Sequence, residues 1–375
     1  MSGIYIHIPF CKQACNYCDF HFSTSLKNKD ALIKAILLEI KLRKNYLQDS
    51  TIETIYFGGG TPSVLSEKDI FSLLEIIYKQ YDVSSCAEIT LECNPDDLND
   101  EKLKELKRLE VNRLSIGLQS FNDEELKWMN RVHTAQDSES SVKRAQDKGF
   151  ENITIDLIYG SKFSNITNWR SSLKKAIQLN VPHISAYNLT IEEKTKLGHD
   201  YKYQLEKAID DEKSAEMFLE MIDVLQKNNF TQYEISNFAK EGFYSIHNSN
   251  YWKGKHYIGL GPSAHSFDGA SRQWNISNNN LYIKYLNDGT KKFYENEILT
   301  ETDRYNEYVL LSLRTIWGID INYLKQSFDN SYVSNFKNQL DKLIKQEKVI
   351  IKDNIVTLTE QGKLLADKIA SDLFV

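Results

Sequence analysis

The chain has 375 residues, of which 41% are hydrophobic and 26% are charged, and its formal net charge is −6. This composition is typical of a globular protein, and the length fits one large α/β domain with a smaller additional unit. The acidic balance argues against a protein that coats nucleic acid, and no run reaches the roughly 18 apolar residues of a membrane span. The first residues lack a basic segment followed by an apolar one, so we expect a cytoplasmic protein without a signal peptide.

Short apolar runs alternate with helical patterns through the first half of the chain. The runs that predict strands are 4–8, 54–57, 88–92, 113–117, 153–158 and 183–189. Stripes of period 3.6 between them predict helices, so this order indicates a parallel sheet with helices outside it. Periodicity alone does not separate a doubly wound sheet from an open or closed barrel. In either fold, ligands bind at the carboxyl ends of the strands.

The second half changes character twice. A longer helix is predicted over 206–229, and an aromatic, glycine-rich stretch at 233–267 indicates strands and loops. From residue 301, helical patterns lead to two apolar runs at 349–351 and 355–358, which predict a hairpin. Helices followed by a hairpin and a terminal helix resemble a winged helix. Its nearly balanced charge does not favour DNA binding.

Three of the five cysteines, Cys11, Cys15 and Cys18, lie within eight residues. A low, odd count argues against a disulfide framework. Zinc sites usually combine one CxxC pair with a second, distant pair, and the chain has no second pair. Gaps of three and two residues suit three irons of a [4Fe–4S] cluster whose fourth iron lacks a protein ligand. The alternatives are a zinc site completed by His7 or His21, or three unligated thiols.

Residues that could contact a ligand also follow the next strands. The glycines at 58–60 follow the second strand and would let backbone groups approach a ligand closely. Glu92, Gln119 and Asp156 end the third, fourth and fifth strands. Each feature alone is commonly a tight turn or a helix cap. Together with the cysteines they predict one site at this edge of the sheet.

The motifs resemble those of the radical S-adenosylmethionine (SAM) superfamily. They are the segment YIHIPFC at 5–11, the CxxxCxxC spacing and the run GGGTP at 58–62. The resemblance is strongest to the branch of the oxygen-independent coproporphyrinogen III dehydrogenases and the haem chaperones, and it covers nearly the whole chain. It implies a partial (βα)6 barrel, a [4Fe–4S] cluster on the three cysteines, and SAM on the fourth iron. Cleavage of SAM to a 5′-deoxyadenosyl radical would require a one-electron donor.

The resemblance also implies which residues contact SAM. They are Tyr5, Gly59, Gly60, Thr61, Glu92, Gln119, Arg131 and Asp156. In the dehydrogenases several of these positions hold a second SAM, and the sequence leaves open whether a second molecule binds here.

Two departures separate the chain from the dehydrogenases. Phe20 stands where they carry a further cysteine, and the YIHIPFC segment begins at residue 5, without their N-terminal extension. Both features match the haem chaperones.

Residues 247–252, with the sequence HNSNYW, fit the HNxxYW pattern of the haem chaperones. The resemblance therefore implies that His247 ligates haem iron, while Tyr251 and Trp252 supply flat surface. His256 and His265 are rival ligands, and the resemblance places His265 nearer to SAM. A structural histidine within an aromatic core is the alternative interpretation.

The sequence thus predicts a haem chaperone that binds haem and a SAM-liganded cluster and transfers haem to an acceptor protein, with respiratory proteins among the candidates. The alternative is a coproporphyrinogen III dehydrogenase, so whether the chain is an enzyme stays open. No nucleic-acid partner is expected, and peripheral membrane contact stays open. The predicted division is a barrel at 1–230, an extension with the HNxxYW segment at 231–300, and a winged-helix-like α+β domain at 301–375.

Overall fold

The computed structural model describes residues 2–47, 51–205, 210–289 and 292–375. Six strands alternate with helices in the first half, and all six predicted strands are confirmed. The strands are β1 (Ser2–Ile8), β2 (Ile52–Gly59), β3 (Val83–Cys93), β4 (Arg113–Gln119), β5 (Asn152–Tyr159) and β6 (His183–Asn188). The helices between them are α1 (Lys29–Leu42), α2 (Glu67–Gln80), α3 (Asp100–Arg108), α4 (Asp123–Trp128), α5 (Ala135–Asp147) and α6 (Ile166–Gln178).

A series of short strands and helices continues the sheet at both edges. These elements are α7 (Lys196–Lys202), α8 (Asp211–Lys227), β7 (Thr231–Glu234), β8 (Asn237–Ala239), α9 (Ile246–Trp252), β9 (Tyr257–Leu260), β10 (His265–Phe267), β11 (Ser271–Asn275), α10 (Asn279–Asp288) and β12 (Tyr294–Ile298). The helix predicted over 206–229 is confirmed as α8, and residues 206–209 lie outside the described residues. The prediction of strands and loops at 233–267 is wrong where α9 forms.

Within the described residues, the largest sheet runs in the order β12-β11-β10-β9-β1-β2-β3-β4-β5-β6-β8-β7. Strands β1 to β6 follow one another in sequence order and are parallel. A doubly wound sheet would reverse its order, so this topology is that of an open βα barrel. Strand β9, distant in sequence, adds a further parallel strand beside β1, with Gly3 opposite Tyr257.

Alternation along β1 shows how the barrel is built. Ile4, Ile6 and Ile8 are fully buried in the core, whereas Tyr5 and His7 line a cavity. Successive side chains of a strand point to opposite faces, so one face of β1 packs in the hydrophobic core and the other is available for a ligand.

The last part of the chain forms a separate layer with its own hydrophobic core. Its elements are α11 (Glu301–Leu313), β13 (Ile319–Asp320), α12 (Ile321–Ser327), α13 (Asn330–Lys345), β14 (Val349–Lys352), β15 (Ile355–Leu358), α14 (Glu360–Lys363) and α15 (Ala366–Asp372). The predicted hairpin is confirmed as β14 and β15, and Asp353 and Asn354 at its turn have φ of 52° and 64°. Positive φ at both positions is typical of a two-residue hairpin turn. None of the helices described is long and apolar enough to cross a bilayer.

A buried carboxylate on α1 ties the extension to the barrel. Glu39 is fully buried and accepts hydrogen bonds from Arg43 Nη1 at 3.0 Å, Gly261 N at 2.8 Å and Asn275 Nδ2 at 2.8 Å. The hydroxyl of Tyr282 donates a further bond to it. The position of strands β9 to β11 against α1 therefore depends on the buried side chain of Glu39 and its donors.

We expect Glu39→Ala to destabilise the protein by about 3–5 kcal/mol, because it leaves the buried Arg43 without its counter-charge. The control is Glu75→Ala on α2, which removes an exposed pair with Lys79 and costs about 0.3–0.5 kcal/mol. Urea unfolding of both variants measures the difference. Equal losses of stability would contradict the role assigned to Glu39.

Candidate cluster and ligand site

The three predicted cluster cysteines lie in one loop between β1 and α1, and all three are partly exposed. The loop is tied to its surroundings through its backbone. Cys11 N donates to Ser23 O at 3.1 Å, and Asn16 N donates to Met129 O at 3.1 Å, after α4. The loop therefore leaves β1 at the edge of the sheet where the sequence predicted a site.

The thiols of this loop lie close enough to influence one another. Burial raises the pKa of Cys18 to about 11, and the neighbouring charges of Cys15 and Cys11 add to this shift. Burial likewise raises the pKa of Cys11, while a hydrogen bond from Thr61 opposes the shift. Arg131 Nη1 donates to Cys15 Sγ at 3.4 Å. Thiolate ligands in this loop would thus have a guanidinium and a hydroxyl as hydrogen-bond donors.

The glycine run after β2 packs directly on the start of the cysteine loop. Gly60 N donates to Ile8 O at 2.9 Å, and Thr61 N donates to Phe10 O at 2.7 Å. A Cβ atom on Gly60 would lie 2.7–2.8 Å from Ile8 O, Phe10 O and Phe10 N. Only glycine allows this approach of two backbones, so the run at 58–60 positions the loop as well as exposing backbone.

Glu92 ends β3 beside the same run. Its Oε1 accepts from Tyr56 OH at 2.8 Å and its Oε2 accepts from Gly59 N at 3.1 Å. Gly59 has φ of 103°, and a Cβ there would meet the ring of His7 at 2.5 Å. Burial raises the pKa of Glu92 to about 7, and the charge of nearby Asp156 adds to the shift.

Asp156 on β5 is the second carboxylate of this region. Ser115 Oγ lies 3.3 Å from its Oδ2, and burial raises the pKa of Asp156 to about 6. Two partly buried carboxylates in electrostatic contact would bind a cationic ligand favourably, because such a ligand relieves both the burial cost and the mutual repulsion.

Arg131 and Gln119 complete the predicted SAM residues. Arg131 Nη2 donates to Asn94 Oδ1 at 2.8 Å and to Gly117 O at 2.9 Å, so one guanidinium joins the ends of β3 and β4 to Cys15. Gln119 has φ of 65°, a left-handed conformation that is uncommon for a residue with a side chain. The structure thus brings the predicted residues of five strand ends together at one edge.

A cavity of about 1340 Å³ lies between the barrel, the extension and the C-terminal domain. Asp19, Phe20 and His21 of the cysteine loop line it, so it lies beside the cluster loop. Its aromatic lining includes Tyr251, Trp252, Tyr257, Phe267, Tyr308 and Trp317. Its cationic lining comprises Lys253, Arg272, Arg304 and Arg314.

His247 lies behind this cavity wall and not among the residues that line it. Its side chain is buried, with 2% of the residue exposed, and its ring stacks on Tyr56 with centroids 4.9 Å apart. Its Nδ1 is 2.7 Å from Thr54 Oγ1 and its Nε2 is 2.9 Å from Tyr251 OH. Ligation of haem iron by His247 stays a prediction, and in this conformation it would require that one of these bonds be broken.

The other histidines differ in their availability. His256 and His265 are exposed and line the cavity. His7 Nε2 is 2.9 Å from His21 O, and His21 Nε2 is 2.8 Å from Asn279 Oδ1. Across the described ranges, no three His, Cys, Asp or Glu side chains converge closely enough to hold a single metal ion. This finding covers Cys11, Cys15 and Cys18 as well as His7 and His21, so the cluster site and the alternative zinc site both stay predictions.

Two family models match this chain, one in the barrel and one in the C-terminal domain. The model of the radical SAM superfamily matches residues 5–176, and the model of the HemN C-terminal domain matches residues 299–365. The heme chaperone HemW of Lactococcus lactis is 34% identical over 369 residues, which cover 98% of this chain and 96% of that protein. The chain belongs to the HemW family of the radical SAM superfamily. The HemW of Bacillus subtilis is also 34% identical, over 98% of both chains.

A solved structure shows the same fold. Coproporphyrinogen III oxidase (HemN) from Escherichia coli covers 100% of this chain and 90% of its own, with a TM-score of 0.86 and 22% identity. At this identity the likeness establishes the fold of both parts of the chain, the barrel and the C-terminal domain, and not the reaction.

Several polar residues inside the barrel were not predicted from the sequence. Thr54 and Tyr56 on β2 hold His247 and Glu92, and Glu88 on β3 accepts hydrogen bonds from Ile246 N at 3.1 Å and His247 N at 3.0 Å. A period of two along β2 and β3, with polar residues on one face, was the signal that could have found them.

We expect the free energy of unfolding of the cluster-free protein to fall as the pH rises from about 4.5 to about 8, partly because of Glu92. Its pKa in the folded state, about 7, lies above the value near 4.3 of an unfolded chain, so the folded state binds more protons in this range. Glu92→Gln should remove roughly 1–3 kcal/mol of that pH dependence. Chemical unfolding at pH 5 and pH 8 measures it.

The control for charge removal is Glu101→Gln, an exposed carboxylate on α3, which should keep the wild-type dependence. An unchanged pH dependence in Glu92→Gln would contradict the electrostatic description of this site.

Proposed function

We propose that this chain is a haem chaperone of the cytoplasm. It holds a [4Fe–4S] cluster on Cys11, Cys15 and Cys18, binds SAM beside the cluster, binds haem in the large cavity and passes haem to an acceptor protein. Respiratory proteins are the candidate acceptors. The observation that carries the proposal is the aromatic, cation-lined cavity of about 1340 Å³ that begins at the cluster loop.

The donor set of the loop fits a cluster. Its three thiols are the ligands that iron–sulfur clusters use, and Arg131 and Thr61 supply hydrogen bonds to sulfur that stabilise negative charge. When bound, the cluster supplies an iron with an open position and a route for one electron.

The surrounding residues fit SAM, a cation at its sulfonium. Glu92 and Asp156 supply negative charge, while Gly59, Gly60 and Thr61 offer backbone without bulky side chains. Tyr5 lines the large cavity, and Arg131 lies beside Cys15. Gln119 ends β4, the strand whose Gly117 O accepts a hydrogen bond from Arg131. These contacts rest on the family motifs and on the proximity of the residues.

The cavity fits haem in size and chemistry. Small-molecule pockets typically measure about 300–1,000 Å³, so this one accommodates a porphyrin. Trp252, Tyr257 and Phe267 supply flat apolar surface. Lys253 and Arg304 lie on the wall without an ion pair to a carboxylate of the described residues, so they are available to haem propionates.

We expect Cys11→Ala, Cys15→Ala and Cys18→Ala each to abolish the reconstituted cluster, because each removes one of three iron ligands. Cys86→Ala and Cys93→Ala are the controls. Cys86 is exposed on β3, and Cys93 is buried with its thiol 3.4 Å from Leu91 O. Iron and sulfide per chain provide the measurement, and a full cluster in Cys15→Ala would refute the ligand assignment.

The function is tested by giving the reconstituted protein, without oxygen, either haem or coproporphyrinogen III with SAM and a reductant. We expect stoichiometric haem binding, transfer of haem to an apo-haemoprotein, and no decarboxylated product. Product formation would instead support the coproporphyrinogen III dehydrogenase that the sequence left as the alternative. Protein without haem affinity would refute the chaperone.

A further inference from the structure

We propose that His133 is a positioning residue, which holds Gln119 at the end of β4 in the conformation that the proposed SAM region requires. This inference rests on the SAM binding proposed above, and it names a residue that supports this binding without touching the ligand. His133 lies in the turn between α4 and α5, which also carries Arg131.

The end of β4 departs from a regular strand at Gln119. The pairing of β4 with β5 shifts register between Gly117 and Gln119, so Leu118 is the extra residue of a β-bulge. Ser120 N donates to Leu118 O at 2.8 Å, and Gln119 between them has φ of 65°. A hydrogen bond of this span around a positive φ forms a γ-turn of the rare, strained kind. Such strain persists only where neighbouring groups hold the backbone in place.

His133 holds the carbonyl at the centre of this bulge. Its Nε2 lies 3.0 Å from Leu118 O, and 3% of the residue is exposed. A carbonyl oxygen only accepts, so Nε2 carries the proton of this bond. Burial, together with the charge of Arg131, lowers the pKa of His133 to about 4, so the ring is neutral. The Leu118 carbonyl belongs to the planar peptide that joins Leu118 to Gln119, so its orientation and the φ of Gln119 are set together.

The conformation of Gln119 places its amide over Gly117, beside Arg131. A Cβ atom on Gly117 would lie 2.7 Å from Gln119 Nε2 and 3.5 Å from Arg131 Nη2, so both donors occupy the space above this glycine. Gly117 pairs with Asp156 of β5, one of the two carboxylates of the proposed SAM region. Arg131 Nη2 also donates to Gly117 O at 2.9 Å. Arg131 and His133 thus hold consecutive carbonyls at the end of β4.

The turn that carries His133 also contacts the cysteine loop. Met129 O accepts a hydrogen bond from Asn16 N at 3.1 Å, and Arg131 Nη1 donates to Cys15 Sγ at 3.4 Å. The turn therefore joins the end of β4 to this loop, and His133 positions Gln119 relative to the thiols.

The competing role for His133 is to fill space. Its Nδ1 is buried and has no hydrogen-bond partner among the described residues, a cost that an apolar side chain would not carry. Leu118 O also keeps the bond from Ser120 N when the imidazole is removed. His133→Leu is therefore compatible with folding, and it separates positioning from packing.

The first experiment measures the backbone of Gln119 in the cluster-free full chain, labelled with carbon-13 glutamine. Nuclear magnetic resonance should show chemical shifts of a left-handed residue for Gln119, and loss of the signal in Gln119→Gly assigns it. His133→Leu should move the signal to the shifts of an extended residue, because the peptide can then turn over. His133→Gln should keep the left-handed shifts, since its amide offers an N–H donor at a similar reach. An unmoved signal in His133→Leu overturns the proposal.

The second experiment measures SAM affinity in the reconstituted protein, from the change that SAM causes in the electron paramagnetic resonance spectrum of the reduced cluster. His133→Leu should bind SAM about 2- to 10-fold more weakly, as for the loss of one neutral hydrogen bond. The loss should be absent in a Gln119→Gly background, because His133 acts through the Gln119 side chain. Equal losses in both backgrounds would contradict the positioning role.

His183→Leu is the matched control. His183 is fully buried at the start of β6, and its Nε2 lies 2.8 Å from Tyr233 OH. This variant should lower the unfolding midpoint and leave the Gln119 signal and SAM affinity unchanged, whereas a change in both would refute a specific role for His133. A wild type that binds no SAM refutes the proposed SAM site, and the Gln119 signal of His133→Leu still decides the role of His133.

Discussion

The close approach of two backbones at the exits of β1 and β2 is the constraint on which the site depends. The parallel ladder pairs Ile8 with Gly59, and it continues past the strand ends through Gly60 N to Ile8 O and Thr61 N to Phe10 O. Any Cβ at Gly60 would enter this contact. The cysteine loop therefore starts from a fixed point, and the thiols are held at the strand ends where Glu92 and Arg131 also lie.

Inside the barrel, polar side chains form two layers that have different tasks. Near the carboxyl ends, Tyr56 and Glu92 belong to the predicted SAM region. Near the amino ends, Glu88 and Thr54 hold helix α9 through its backbone and through His247. Tyr56 touches both layers, since its hydroxyl reaches Glu92 while its ring stacks on His247. A displacement of side chains in one layer can therefore be transmitted to the other layer through Tyr56.

The parts of the fold that were predictable are those set by local sequence. Apolar runs marked the strands, and α2 after β2 begins with a complete capping box, a local signal formed by Ser66 and Asp69. The distant pairing of β9 with β1 has no local signal, because register across more than 250 residues depends on tertiary packing. Helix α9 was missed for a related reason. It has seven residues, mostly polar, and its stability comes from Glu88 and from the cap of Ser245, not from an apolar stripe.

The candidate site was predictable to a similar extent. The cysteine spacing and the polar strand ends identified which residues meet, because parallel strands bring their carboxyl ends to one edge. The availability of a side chain was not predictable, since it depends on its neighbours. His247 has the chemistry of a ligand in sequence, yet Thr54 and Tyr251 occupy both its nitrogens.

Proteins that share this fold can differ in function through the residues that line their cavities. The fold is that of coproporphyrinogen III oxidase, and fold alone does not separate an enzyme from a carrier. The proposed haem site depends instead on the residues that the cysteine loop presents to the cavity. Phe20, where the dehydrogenases carry a cysteine, is 72% exposed and lines the cavity beside His21. At that position the loop offers an aromatic surface to the cavity, and such a surface can stack on a flat ligand, as the proposed haem site requires.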